Sequence, residues 1–469
     1  MKKAFKASRI YSGEWRFDAF IKACYIVPTM KLKETSWLNQ IFGWLKKQLK
    51  WLGPGLGMKR WMALMVIGTA ILGLGLSVLV LDIYRNASEH WFVEVLGWLS
   101  LRFLPRWVRF ILFSGAGFTC IYCSITGISR TVLEPFVPQG EEVIDAIANF
   151  RRRTRGPKIV ALGGGSGMFS LLRGLKNHTS NITAVVTMAD DGGSSGELRR
   201  RIGTPPPGDL RNCLTALSSD EAMLTQIFQY RFGEEYGLNG HSLGNLFITA
   251  MGDITGSFEE GVAEAGNVLA ITGQVLPATI QDVRLAAKKR HLRTEQTTIV
   301  HGESEIPKAE GKIERVWLDP ENPQAFPPAI QAILGADLIV VGPGSLYTSI
   351  LANLLVPDIS RALKASKAMK FYISNITSQP GETDGYSVHD HVDAIEDHLG
   401  FDLFDLVICN NRTIGIDLPS NLSWVRYDDS EAMDHVVYQA DLVQKEWPTR
   451  HDSEGLAQII MDLFYERTG

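Results

Sequence analysis

The residues of this chain that could do chemistry fall in six short stretches. Gly163, Gly164, Gly165, Ser166 and Gly167 make the tract GGGSG, Asp190 and Asp191 precede Gly192 and Gly193 in ADDGGSSG, and Asp209, Arg211 and Asn212 follow a Pro-Pro-Pro-Gly turn. His241, Ser242 and Asn245 lie in NGHSLGN, Gly342, Gly344 and Ser345 in GPGS, and Asn375, Gln379, Glu382, Thr383 and Tyr386 in a polar loop after an apolar run. Glycines that interrupt an apolar run let backbone N–H groups approach an anion, and a helix starting there adds its positive end. Both glycine tracts are candidate phosphate sites, with a structural tight turn as the competing reading of each. The adjacent Asp190 and Asp191 suit ligand hydroxyls, or a magnesium ion whose shell phosphate oxygens complete; a helix N-cap competes for either. Asp209 is placed to cap a helix and Asn212 to read a ligand, while His241, a candidate ligand contact, is by itself more often a packed or capping histidine. No Ser-His-Asp or Cys-His arrangement and no zinc-ligand spacing appears. Phosphoryl-type transfer needs none, because positioning and charge neutralisation carry most of it.

Such residues must be positioned by regular elements. Lys158-Ile159-Val160-Ala161-Leu162 is a short apolar run, and Met168, Leu171, Leu172 and Leu175 follow at helical spacing, so GGGSG joins a strand to a helix. Residues 181–188 read as a second strand that leads into Asp190 and Asp191. Residues 336–341 run into Gly342 and repeat the order of strand, glycine turn and helix, and 371–375 and 406–411 are two more apolar runs ending in polar residues. The expected fold class is α/β: a Rossmann-like, doubly wound, mostly parallel sheet with helices on both faces, interrupted over residues 203 to 300 by a mainly helical insertion. Two glycine turns at the carboxyl ends of parallel strands would face one crevice. The first is not a nicotinamide fingerprint, since the third glycine of that spacing falls at Met168.

Charge divides the 469 residues unevenly. Residues 1 to 157 hold 22 Lys and Arg against 10 Asp and Glu, a balance of +12; with −4 for the whole chain, the remainder carries −16. An acidic body excludes a general nucleic-acid binder, which needs clustered basic residues. Cys24, Cys120, Cys123, Cys213 and Cys409 are too scattered for a disulfide framework and fit a reducing compartment. Residues 1–60 form a basic leader, in which Trp37 to Leu52 read as a tryptophan-rich amphipathic helix suited to a membrane surface. Residues 61–81 lack any charge and 110–129 are a second apolar run, rich in small residues, so a two-helix transmembrane hairpin is expected over 61–130. Basic residues outside the two spans place both termini in the cytoplasm, with the body on the inner face of the cytoplasmic membrane. A linker over 131–157, carrying the run RRRTRGP, then leads to the body at 158–469.

The motifs ADDGGSSGELR, PPPGDLRN, NGHSLGN, GPGSLYTSILANLLVP and TSQPGETDGY, in this order after GGGSG, closely resemble the bacterial gluconeogenesis factor family from about Lys158 to the C-terminus. That family shares its fold with the 2-phospho-L-lactate transferases of deazaflavin cofactor synthesis. The resemblance implies a UDP-sugar ligand, notably UDP-N-acetylglucosamine, and a regulatory role in cell shape and wall-precursor supply on gluconeogenic carbon. The transferase branch implies instead a guanosine diphosphate-linked substrate with magnesium. Carried onto this chain, the two glycine tracts would hold the diphosphate. Self-association into a homo-oligomer stays open.

Overall fold

A computed structural model of the chain describes residues 143–468 except 220, 234–237, 239, 292, 414–417, 429 and 431–433, together with 101, 103–133 and scattered positions from 65 to 98. Contacts divide it into two compact units, residues 1–147 and 148–469. In the first, a helix spans Arg106–Leu133, and its stretch Trp107–Ile125 is long and apolar enough to cross a membrane, with none of that stretch buried. It covers most of the second expected span. The first expected span lies largely outside the described residues, and Trp37 to Leu52 lie wholly outside them. Of the expected hairpin, one candidate helix is therefore shown.

Among its described residues the second unit contains ten strands: β1 (Ile159–Gly163), β2 (Ile182–Val186), β3 (Gln274–Pro277), β4 (Arg284–Arg290), β5 (Thr297–His301), β6 (Lys312–Asp319), β7 (Leu338–Val341), β8 (Met369–Ile373), β9 (Leu406–Asn410) and β10 (Val437–Ala440). Seven of them form one sheet in the order β10-β9-β8-β7-β1-β2-β3. Every pairing in it is parallel. The β-branched run of β1 is buried along its whole length, as a strand covered on both faces must be. Val160, Leu162, Val185, Ile339 and Val341 enter one core, while Ile159, Ala161, Ala184, Val186, Leu338 and Val340 enter the other. Met168, Leu171, Leu172 and Leu175 all pack into the second core from the helix Gly165–Leu175. Burying side chains of this size stabilises by about 1.5–3 kcal/mol each before entropy is counted.

From β1 the chain builds outward to β2 and β3 on one side, then returns to add β7, β8, β9 and β10 on the other. The order reverses between β1 and β7, so the loops after these two strands diverge and leave a crevice at their carboxyl ends. Both glycine tracts are there.

The expected helical insertion is only partly found. Helices Gly208–Leu217, Glu221–Gln229, Leu243–Thr255 and Phe258–Val268 fill its first two thirds, but β3 and β4 lie within its range and β5 straddles its end. The strands β5-β4-β6 make a separate antiparallel sheet. The basic run of β4, Arg-Leu-Ala-Ala-Lys-Lys-Arg, carries a helix-compatible composition, yet tertiary pairing places Leu285, Ala286, Ala287 and Lys289 inside. The helix expected after Gly342 also differs: Leu346–Leu351 is a single π-helical segment that passes into Ala352–Leu354.

Candidate functional site

The crevice is built from two interlocked turns. Gly165 adopts φ +64 and Gly342 φ +78, conformations that favour glycine. A Cβ on Gly167 would stand 2.4 Å from the Pro343 carbonyl oxygen, so the turns touch without room for a side chain. The helix Gly165–Leu175 begins at Gly164, which has no side chain to cap it; its first N–H, on Gly165, is taken by the Asp209 carboxylate, and the N–H groups of Ser166 and Gly167 follow at its positive end. Gly164, Gly165, Ser166, Gly167, Gly344 and Ser345 line a hollow of about 120 Å³ there. Asn375 accepts from the Gly344 N–H at 3.3 Å, and Gln379 donates to Ser345 Oγ at 2.7 Å, so the loop after β8 fixes the second turn and contributes its own amides.

Thr449, Arg450 and His451 complete this hollow. None of them stands out in the sequence, which offers no glycine or repeated polar pattern there; the bridge between Val443 and His451 and the start of the helix Ser453–Thr468 bring them in. His451 Nε2 lies 3.1 Å from the Ser374 carbonyl and donates to it, and complete burial pushes its pKa down to about 4, so the ring is neutral at physiological pH.

A second hollow, of about 250 Å³, is lined by Asp190, Gly192, Gly193, Ser194, Ser195, Gly208, Asp209, Arg211, Asn212, Arg231 and Asn245. Only the turn Gly164–Gly165 separates the two: Asp209 accepts the Gly165 N–H, and a Cβ on Gly164 would lie 2.3 Å from Asp209 Oδ2. Arg211 donates to Ser242 Oγ at 2.6 Å, to Asn245 Oδ1 at 3.0 Å and to Asn212 Oδ1 at 3.0 Å, so one guanidinium ties its own helix to the start of the helix Leu243–Thr255. His241 sits behind Ser194, with Nδ1 2.9 Å from its Oγ, and it is Ser242 that caps the helix Leu243–Thr255.

Four carboxylates in and around the second hollow, Asp190, Asp209, Glu303 and Glu382, have raised pKa values. Burial first, then the neighbouring Asp190, push Asp209 up to about 7. Burial together with Asp190, Asp209, Asp191 and Glu382 raises Glu303 to about 8. Burial raises Glu382 to about 7 and also lifts Asp190, despite the hydrogen bonds that Asp190 receives from Gly192 and Ser195. Such displaced groups gather where a fold is built for binding or chemistry. Neither Glu303 nor Arg231 is marked by a local sequence signal.

Not every expected residue reaches the crevice. Asp190 and Asp191 turn apart: Asp190 accepts from Gly192 N at 2.9 Å, whereas Asp191 Oδ1 accepts from Ser304 N at 2.9 Å across the chain. Neither caps the helix Gly193–Ile202, whose N-cap is Gly192. Glu382 receives the Thr348 hydroxyl at 3.3 Å, and Thr383 accepts from Gln379 N at 2.9 Å, so both shape the loop rather than line the hollow. Gly163 and Gly342 are the buried hinges of their turns. Among the described residues no three His, Cys, Asp or Glu side chains are grouped so as to hold a metal ion.

Fold and crevice together define a doubly wound α/β protein with a glycine-lined crevice at its topological switch point. The match to known proteins is specific. Residues 159–446 fit the family described as 2-phospho-L-lactate transferase CofD. The gluconeogenesis factor of Bacillus subtilis is 44% identical over 318 residues, 66% of this chain and 99% of that protein. A relative from Nostoc sp. is 47% identical over 394 residues, 83% of each chain. A crystal structure of a UPF0052 family member from Bacillus halodurans superposes with a TM-score of 0.60 at 42% identity, covering 66% of this chain and 99% of that one. The chain belongs to the gluconeogenesis factor family. The Nostoc likeness is longer than the body from Lys158 onward, so it reaches back into the N-terminal segment, further than the motifs alone extend.

Proposed function

We propose that the crevice binds a nucleoside diphosphate-linked ligand, a UDP-sugar such as UDP-N-acetylglucosamine, and that the protein is a binding regulator of wall-precursor supply and cell shape on gluconeogenic carbon. The observation that carries this reading is the close meeting of two glycine turns beside a helix N-terminus at the switch point. The N–H groups of Ser166 and Gly167 at that helix start suit a diphosphate. The N-terminal segment holds the body at the inner face of the cytoplasmic membrane through the spans at 61–81 and 110–129. Calorimetric titration of the purified chain with UDP-N-acetylglucosamine tests the reading: saturable binding with the sugar recovered unchanged is expected, and no heat of binding would defeat it.

A magnesium-dependent transferase is a second reading, favoured by the raised carboxylates beside the cradle. Magnesium is commonly held by one or two carboxylates with phosphate oxygens and water, which Asp190 and Asp209 would supply together with the ligand. Product formed from guanosine diphospholactate and a deazaflavin acceptor would establish transfer.

A further inference from the structure

The two hollows differ in chemistry in a way that orients the ligand. The hollow around Asp190 has no apolar side chain among its eleven lining residues, which comprise glycine, serine, asparagine, aspartate and arginine. A nucleobase needs a flat or apolar partner for its π-face, and the flat groups there are the guanidinium planes of Arg211 and Arg231, both engaged in hydrogen bonds, Arg211 to Ser242, Asn245 and Asn212 and Arg231 to the Gly240 carbonyl. The other hollow, beyond the cradle, offers Pro343, Ile376 and the neutral ring of His451. A glycosyl group asks for the opposite: donors and acceptors fixed at hydroxyl spacing. Arg211 takes Asn212 Oδ1 as its acceptor, and since arginine only donates, the Asn212 amide nitrogen is the donor available to a ligand. Arg231 is tied to the Gly240 carbonyl at 2.9 Å through one nitrogen, and its remaining N–H groups are on the same rim.

We propose that the hollow formed by Asp190, Asn212 and Arg231 is the glycosyl subsite, taking the hydroxylated group carried on the distal phosphate, while the nucleoside lies toward Ile376 and His451. The assignment rests on the nucleotide-sugar reading and adds the direction of the ligand to it. Asp190 accepts from sugar hydroxyls, Asn212 donates, and Arg231 closes the outer side. Asp209, held against Gly165, is the wall between sugar and diphosphate.

Titration of the full chain with UDP and with UDP-N-acetylglucosamine, for wild type and for Asn212→Ala and Arg231→Gln, tests the direction. The wild type is expected to bind the sugar nucleotide at least tenfold more tightly than UDP, with each variant losing most of that preference and binding UDP within twofold of wild type. Arg231 is exposed, so its replacement keeps the test available even where Asn212→Ala lowers the yield of folded protein. Equal weakening of UDP and UDP-sugar would place the nucleoside in this hollow and overturn the assignment, as would an unchanged preference. Absence of binding by wild type to either ligand would instead remove the nucleotide-sugar reading itself.

Discussion

At Gly167 a single methyl group is expected to force the two halves of the cradle apart. Its position would be 2.4 Å from a backbone carbonyl, which has no rotamer through which to yield. Gly167→Ala should weaken UDP-sugar binding at least tenfold in calorimetry and cost about 1–3 kcal/mol in urea denaturation, the usual range for overpacking. Glu303 sets a different test. Burial and its acidic neighbours put its folded pKa at about 8, above the ordinary glutamate value, so the folded protein keeps a proton that the unfolded chain loses near pH 4 to 5. The native state then binds more protons, and stability is fully present below the unfolded value and falls as pH rises to about 8. Glu303→Gln should flatten that fall, with thermal melts at pH 5, 7 and 9 converging. At pH 9 the variant is expected to be on the order of 1–3 kcal/mol more stable than wild type.

Among the elements, the small antiparallel sheet is joined to the crevice by one buried side chain. Lys289 on β4 is fully buried, and its Nζ donates to the carbonyls of Ile306, Ala309 and Gly381. These belong to the segment after Glu303 and to the loop that carries Gln379 and Glu382, so Lys289 fastens two site-bearing segments together. Lys289→Met keeps most of the volume and strands three acceptors; a loss of about 2–4 kcal/mol is expected in urea denaturation. Ligand affinity should fall with it. Unchanged stability would mean that the carbonyls find other donors and that the clamp is dispensable.

At the scale of the whole molecule, a basic N-terminal segment precedes an acidic body, and the proposed function assigns anchoring to the first and binding to the second. The exposed apolar helix Trp107–Ile125 leads us to expect that carbonate washing at high pH leaves the full chain in the membrane fraction, whereas a chain beginning at Ala148 is released. Recovery of the full chain in the supernatant would contradict a spanning segment.

The sequence by itself determined the parallel core and the two glycine turns that meet at its carboxyl edge. Apolar runs of strand length broken by glycine, such as residues 158–167 and 338–345, specify strand and turn locally, because period, length and the need for φ above zero are properties of the residues themselves. Loop 375–383 was legible as a polar segment after a strand for the same reason. Tertiary structure alone decided that Asp190 and Asp191 turn apart, that β4 is a strand despite its basic residues, and that Glu303, Arg231 and His451 come to the crevice from segments with no local mark. Their roles come from burial and from partners far along the chain. Desolvation is a property of the packed molecule, so the raised carboxylates could not be read from any run of residues.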